Sequence, residues 1–128
     1  MDRDEINRLS NRIIGAAIEV HRTLGPGLLE QTYRKALMQE LYRMGINARE
    51  EVEIPFIYKG IRIDVAYRAD IVVEDAIILE LKSTDYDTPL FFKQLLTYLR
   101  VSGKNLGLLI NFNKERLKDG IERVVNGF

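Results

Sequence analysis

The chain has 128 residues, 46% of them hydrophobic and 30% charged, with 19 basic residues balanced by 19 acidic ones and no cysteine. That length and apolar share suit one domain, residues 1–128, with its own core, and are far from a disordered composition. The missing cysteines exclude disulfides and thiol chemistry, the single histidine (His21) excludes a histidine-rich zinc site, and zero formal charge means that nucleic-acid contact would rest on a local basic patch.

In chain order, Ile6, Leu9, Ile13, Ala17, Val20 and Leu24 recur at spacings of three and four, which predicts an amphipathic helix from Asp4 to about Thr23. Gly25-Pro26-Gly27 breaks it. A second helix is expected from about Leu28 to Met44, stopped by Gly45. The period then changes. Val52, Ile54, Phe56 and Tyr58 alternate as in a strand, Lys59-Gly60 is a turn, and Ile61, Ile63 and Val65 alternate again. Ala69–Val73 and Ala76–Ser83 are nearly continuous apolar runs, as in strands covered on both faces. Pro89 sits in the first turn of a third helix that stops at Gly103, Leu106–Ile110 is a short buried strand, and Lys114 to about Val125 reads as a closing helix with Leu117, Ile121, Val124 and Val125 inward. Only the connection through the third helix is long enough for a parallel crossover, so the expectation is an α/β fold with a mixed sheet and helices on both faces. No apolar run approaches the roughly 18 residues that span a bilayer, and the first residues lack a signal pattern, so a cytoplasmic protein without a membrane partner is expected.

The stretch RADIVVEDAIILELKSTD carries the chemistry. Glu80 and Lys82 lie on one face of their strand, one pleat apart, with Leu81 pointing the other way. Asp70 is on the preceding strand. A loop of two residues, Glu74-Asp75, would put Glu80 on the wrong face, whereas a loop of three, Glu74-Asp75-Ala76, pairs Asp70 with Glu80. Facing carboxylates roughly 5 Å apart repel each other unless a proton or cation lies between them. Two carboxylates and the Leu81 carbonyl make an all-oxygen donor set, which suits Mg2+ or Mn2+ better than zinc. A lysine beside them could position a metal-bound water or meet a phosphate. The bland alternative is a partly exposed Glu80–Lys82 ion pair at a strand end, with Asp70 capping a turn.

Asp70 followed by Glu80-Leu81-Lys82 resembles the signature of the PD-(D/E)XK nuclease superfamily. Gly27-x-x-Glu30-x-x-Tyr33, within LGPGLLEQTY, resembles the namesake motif of the GxxExxY protein family, a branch of that superfamily. YRADIVVED, ILELKSTD, QLLTYLRVSG and GLLINFN resemble that family's later blocks in the same order, so the likeness runs from about Ile13 to Val125. It implies a restriction-endonuclease-like core, metal ligation by Asp70 and Glu80, Lys82 as the catalytic lysine, and Glu30 as the helical acid that completes the metal site. Gln94 and Tyr98 match the Gln-x-x-x-Tyr helix of RecB-like and lambda-exonuclease-like members, where they would orient Lys82 or contact a phosphate. Two departures stand out: Ala69 replaces the proline of the signature, and Phe91-Phe92-Lys93 before Gln94 is bulkier than the family pattern.

The other candidates have plain readings. Glu30 also suits the first turn of a helix by its charge alone. Gly-Pro-Gly lacks the Lys-Ser/Thr of a phosphate loop. Tyr33, Tyr98 and His21 suit packing, Arg68 either a phosphate contact or, the favoured reading, an ion pair, and Lys93, Arg100 and Lys104 either a basic rim or a solvated face. The leading expectation is a Mg2+- or Mn2+-dependent nuclease acting on DNA. The alternatives are a binding module for nucleic acid or protein on the same fold, and a subunit active only in a homo-oligomer or with a partner. An exposed apolar edge or face would mark the last of these.

Overall fold

A computed structural model describes residues 1–128. Helix α1 (Arg3–Leu24) starts at Asp2, whose side chain accepts from the Glu5 amide at 2.8 Å while the Glu5 carboxylate accepts from the Asp2 amide at 3.1 Å. This reciprocal cap satisfies donors that the first turn otherwise leaves free. Gly25, at φ 72°, ends the helix. Helix α2 (Glu30–Arg43) follows, then strands β1 (Ala48–Glu53), β2 (Phe56–Tyr58), β3 (Ile61–Ile63), β4 (Arg68–Val73) and β5 (Ile77–Lys82). Helix α3 (Pro89–Ser102) carries the chain across to β6 (Leu106–Asn111), and a single 3-10 turn (Leu117–Gly120) leads into β7 (Ile121–Val125).

The main sheet has the order β1-β4-β5-β6-β7, and only β5 and β6 run parallel, joined through α3 as the connection lengths require. Strands β2 and β3 form a separate hairpin. One face of the sheet (Ile71, Val73, Ile77, Leu79, Leu81) packs under α1 and α2, and the other (Val72, Ile78, Leu109) packs against Leu95, Tyr98 and Leu99 of α3. Helices thus cover both faces, and the mixed α/β architecture is that of a restriction-endonuclease-like core. The middle strands are buried on both sides, which is why they read as unbroken apolar runs. Each such Leu or Ile contributes about 1.5–3 kcal/mol of burial.

Two expectations fail. The closing helix over Lys114–Val125 is absent: that segment is the 3-10 turn and β7, an edge strand antiparallel to β6. Leu117 and Val124 do face inward, but Val125 is exposed. Gly120 turns the chain so tightly under β6 that a Cβ there would lie 2.2 Å from the Asn111 carbonyl oxygen, and the β-branched run that follows pairs with a sheet edge instead of continuing a helix. The strand read through Val52, Ile54, Phe56 and Tyr58 is broken at Ile54-Pro55, because proline offers no amide to the ladder. β1 instead begins at Ala48 and pairs with β4.

Gly120→Ala should therefore lower the urea midpoint by an amount equivalent to roughly 1–3 kcal/mol, since backbone rather than a flexible side chain has to move. Gly15→Ala, exposed on α1 with open space around it, should raise the midpoint instead, by up to ~1 kcal/mol. Equal responses of the two variants would contradict this packing.

Candidate active site

The β4–β5 ladder pairs Ile71 with Leu79, Val72 with Ile78 and Val73 with Ile77, which leaves Glu74-Asp75-Ala76 as the loop and sets Asp70 opposite Glu80. Glu74 and Asp75 take left-handed backbone (φ 51° and 52°), a conformation acidic turn residues tolerate, and the Ala76 amide closes the loop on the Val73 carbonyl at 2.9 Å. Along β5, Leu79 and Leu81 face α1 and α2, so Glu80 and Lys82 point to the α3 side.

The acids are tied to each other's main chain. The Asp70 amide donates to Glu80 Oε2 at 3.3 Å, and the Leu81 amide donates to Asp70 Oδ2 at 2.7 Å. Glu80 is only 4% exposed. Burial, and then the adjoining Asp70 carboxyl, push its pKa up to about 10, against the pull of the Lys82 ammonium. Both causes favour the protonated carboxyl of Glu80 over the ionised one. No ion pair forms between Glu80 and Lys82, so the bland strand-end salt bridge is not the arrangement found.

Glu30 lies half-buried at the start of α2. Its pKa is raised, first by burial and then by the Asp70 charge, and lowered by Lys82, so the three groups share one electrostatic neighbourhood. Glu30, Asp70 and Glu80 do not converge as a group of three metal-ligating side chains: the acids in direct register are Asp70 and Glu80. The glycine loop before α2 sets where Glu30 stands. Gly27 adopts φ 95°; the Tyr33 hydroxyl donates to the Gly25 carbonyl at 2.5 Å and accepts from the Leu28 amide at 3.1 Å. Ser83, just past Lys82, donates to the Leu28 carbonyl at 2.5 Å. Tyr33 is itself buried and stacked on Phe112, with ring centroids 4.4 Å apart. The Gly27, Glu30 and Tyr33 spacing thus reads physically as a clasp that fastens the head of α2 to the end of β5.

Helix α3 supplies the opposite wall. The Lys82 ammonium sits 4.5 Å from the centroid of the Phe91 ring, a cation–π contact that accounts for the bulk ahead of Gln94. Lys82, Phe91, Lys93, Gln94 and Thr97 line an open depression of about 510 Å³. Gln94 is exposed there, whereas Tyr98, one turn on, is buried, and its pKa is pushed up to about 12 by burial and then by the charges of Glu80 and Asp70. Neither Gln94 nor Tyr98 hydrogen-bonds Lys82; Tyr98 has the rings of Phe56 and Tyr67 at 6.5 and 6.3 Å instead.

Asn111 has a part that the sequence reading misses. It is buried beside Lys82 across the parallel β5–β6 pair. Its amide donates to the Thr84 carbonyl at 3.1 Å and to Asp87 at 3.1 Å, and its carbonyl accepts from the amides of Thr84 and Asn113. Lys114 adds an ion pair to Asp87 at 2.6 Å. This network fixes the segment from Ser83 to Thr88, which leads from the lysine into α3. The one available signal is a polar residue closing an apolar strand, a position equally consistent with a plain strand terminus.

The remaining candidates scatter. His21 is buried, with Nε2 2.7 Å from the Lys114 carbonyl, a packing role. Arg68 is exposed and takes part in no ion pair, contrary to expectation. Lys104 pairs with Asp75 at 3.2 Å, at the turn end of β4 and β5, so it does not join Lys93 and Arg100 in one rim.

Residues 7–124 match the family model of the PD-(D/E)XK nuclease superfamily, and the chain belongs to that superfamily. No curated protein and no solved structure matches it. Membership brings a nuclease-type function, and such nucleases typically use divalent metal ions. The donor chemistry is compatible: the Asp70 and Glu80 carboxyls and the Leu81 carbonyl are all oxygen, and Asp70 stands opposite Glu80 in the ladder.

The pH dependence of stability follows from Glu80. Its folded pKa lies above the ordinary carboxylate value of 4.5, so the folded chain holds a proton that the unfolded chain releases, and stability falls as pH rises from about 4.5 toward about 10. In chelator-treated buffer Glu80→Gln should melt at a higher temperature than the parent at about pH 8, with the gap closing toward about pH 4. An unchanged gap across that range would refute the burial argument.

Proposed function

We propose that the chain is a metal-dependent nuclease that hydrolyses phosphodiester bonds in DNA, of the GxxExxY type and akin to the RecB and lambda-exonuclease branch. The observation that carries this reading is the register of Asp70 against Glu80, with Lys82 one pleat further along the same face. Asp70, Glu80, the Leu81 carbonyl and, from the head of α2, Glu30 would hold Mg2+ or Mn2+. A divalent ion in such a site supplies Lewis-acid polarisation and lowers the pKa of its water.

Lys82 faces the same wall as Glu80, and Phe91 limits where its ammonium can go. In this role it directs the attacking water toward phosphorus or meets the negative charge that grows on the phosphate oxygens. Its own charge also favours ionised Glu80, which readies the carboxylate for a cation. Gln94, exposed in the same depression, would contact a phosphate, while buried Tyr98 would support the wall behind Glu80. A second reading, a nuclease fold serving as a binding module or as part of a larger assembly, draws on the exposed apolar hairpin β2–β3.

Purified protein should cut DNA in the presence of Mg2+ or Mn2+. Asp70→Asn and Lys82→Ala should each reduce the rate by on the order of 10²–10⁴ without loss of folding by circular dichroism. Mn2+ at ~100 times its Kd should stabilise the parent by about 2.7 kcal/mol and leave Asp70→Asn unmoved. No cleavage over a broad panel of DNA and RNA, together with no heat of metal binding by calorimetry, would rule the proposal out.

A further inference from the structure

The hairpin β2–β3 is the largest feature that the site leaves unexplained. It is a sheet of its own, turned by Lys59-Gly60 with φ 48° and 82°, a tight turn that suits the twist of paired strands. Phe56 pairs with Ile63 and Tyr58 with Ile61, so these four side chains share one face, and Ile57 and Arg62 share the other. Tyr58 is 62% exposed, Ile61 68% and Ile57 73%. A lone pair of strands is barely stable in water, and an apolar surface of this kind normally meets something.

The face leads to the active site. At its base the Phe56 ring lies 4.8 Å from Tyr67 and 6.5 Å from Tyr98, and Tyr98 stands behind Glu80 and Asp70. At its tip the Lys59 ammonium is 5.4 Å from the Tyr58 ring centroid. Arg68, where the hairpin rejoins β4, is exposed and unpaired; Arg62 is held by Glu53 at 2.7 Å, and Asp64 is the one acid between Pro55 and Arg68. In a two-fold contact with a second copy the same patch supplies both sides, so a segment with three cations, Lys59, Arg62 and Arg68, and one acid, Asp64, would meet the same excess of positive charge. A polyanion turns the same charges to advantage. Aromatic and basic side chains in alternation suit a strand whose bases are free to stack, and duplex bases are already stacked on one another.

We propose that the β2–β3 hairpin is a substrate-binding arm for single-stranded nucleic acid, with Tyr58 stacking a base and Lys59 and Arg68 meeting phosphates on either side of it. This rests on the nuclease reading and gives that site its substrate class. The test uses the full-length Asp70→Asn chain in chelator-treated buffer, so that the strand stays intact, with a short fluorescein-labelled single-stranded oligodeoxynucleotide read by anisotropy. Adding Tyr58→Ala should weaken binding at least ~5-fold and Tyr58→Phe should restore it, as stacking requires. Adding Lys59→Ala should lower the slope of log affinity against log salt by about 0.7. A fully duplexed oligonucleotide should bind more weakly than the single strand. Unchanged affinity in the Tyr58→Ala chain, no binding of the single strand, or a dimer seen by sedimentation that Tyr58→Ala abolishes would each overturn the proposal. Manganese stabilisation of chains that retain Asp70 separates the outcomes. If Tyr58→Ala alone keeps that stabilisation while oligonucleotide binding fails the test, the arm is wrong and the metal site stands.

Discussion

Asp70 and Glu80 each bind the main chain of the other's strand, and this exchange is possible only because Glu74-Asp75-Ala76 closes β4 onto β5 in an odd register. Shortening the loop by one residue would move every β5 side chain to the opposite face. Glu80 and Lys82 would then enter the apolar layer under α1 and α2, where unpaired charge is costly. The rest of the site depends on this register. Lys82 reaches Phe91, Tyr98 comes to stand behind the acids, and Glu30 shares their field because β5 presents its polar residues to the α3 side and its end to the head of α2.

Two fastenings hold that geometry from outside. The Tyr33 hydroxyl and Ser83 pin the Gly25–Leu28 loop, and with it the start of α2, to the end of β5. Asn111 and Lys114 pin the opposite side, where the chain leaves Lys82 for α3. Both use short polar contacts around buried or half-buried groups, which fix position more sharply than apolar packing does. Between them, the carboxyl pair is left poorly solvated, with Lys82 as the cation that acts on Glu80.

Much of this was legible in the sequence because the signals were periodic. The spacings in α1, the proline and glycine bounds of α3 and the apolar runs of β4, β5 and β6 each name one element type, whereas the odd loop was a condition of pairing Asp70 with Glu80 that the sequence left open. The C-terminal segment was not legible: Leu117, Ile121 and Val124 fit a helical period, but the tight approach of Gly120 to the Asn111 carbonyl is a tertiary fact that no local pattern carries. The role of Asn111 was hidden for the same reason, since its partners come from a segment more than twenty residues earlier in the chain. The contact between Lys82 and Phe91 joins a strand to a helix, and in the sequence it registered only as unexpected bulk before Gln94.

In the proposed function the facing acids of β4 and β5 take one divalent cation between them. Anomalous diffraction from a crystal of the protein soaked in manganese tests it most directly. One strong peak within coordinating distance of carboxylate oxygens from both Asp70 and Glu80 should appear, and it should vanish in Asp70→Asn. A crystal that takes up manganese only elsewhere, or holds the two carboxyls together with no metal between them, would contradict the account.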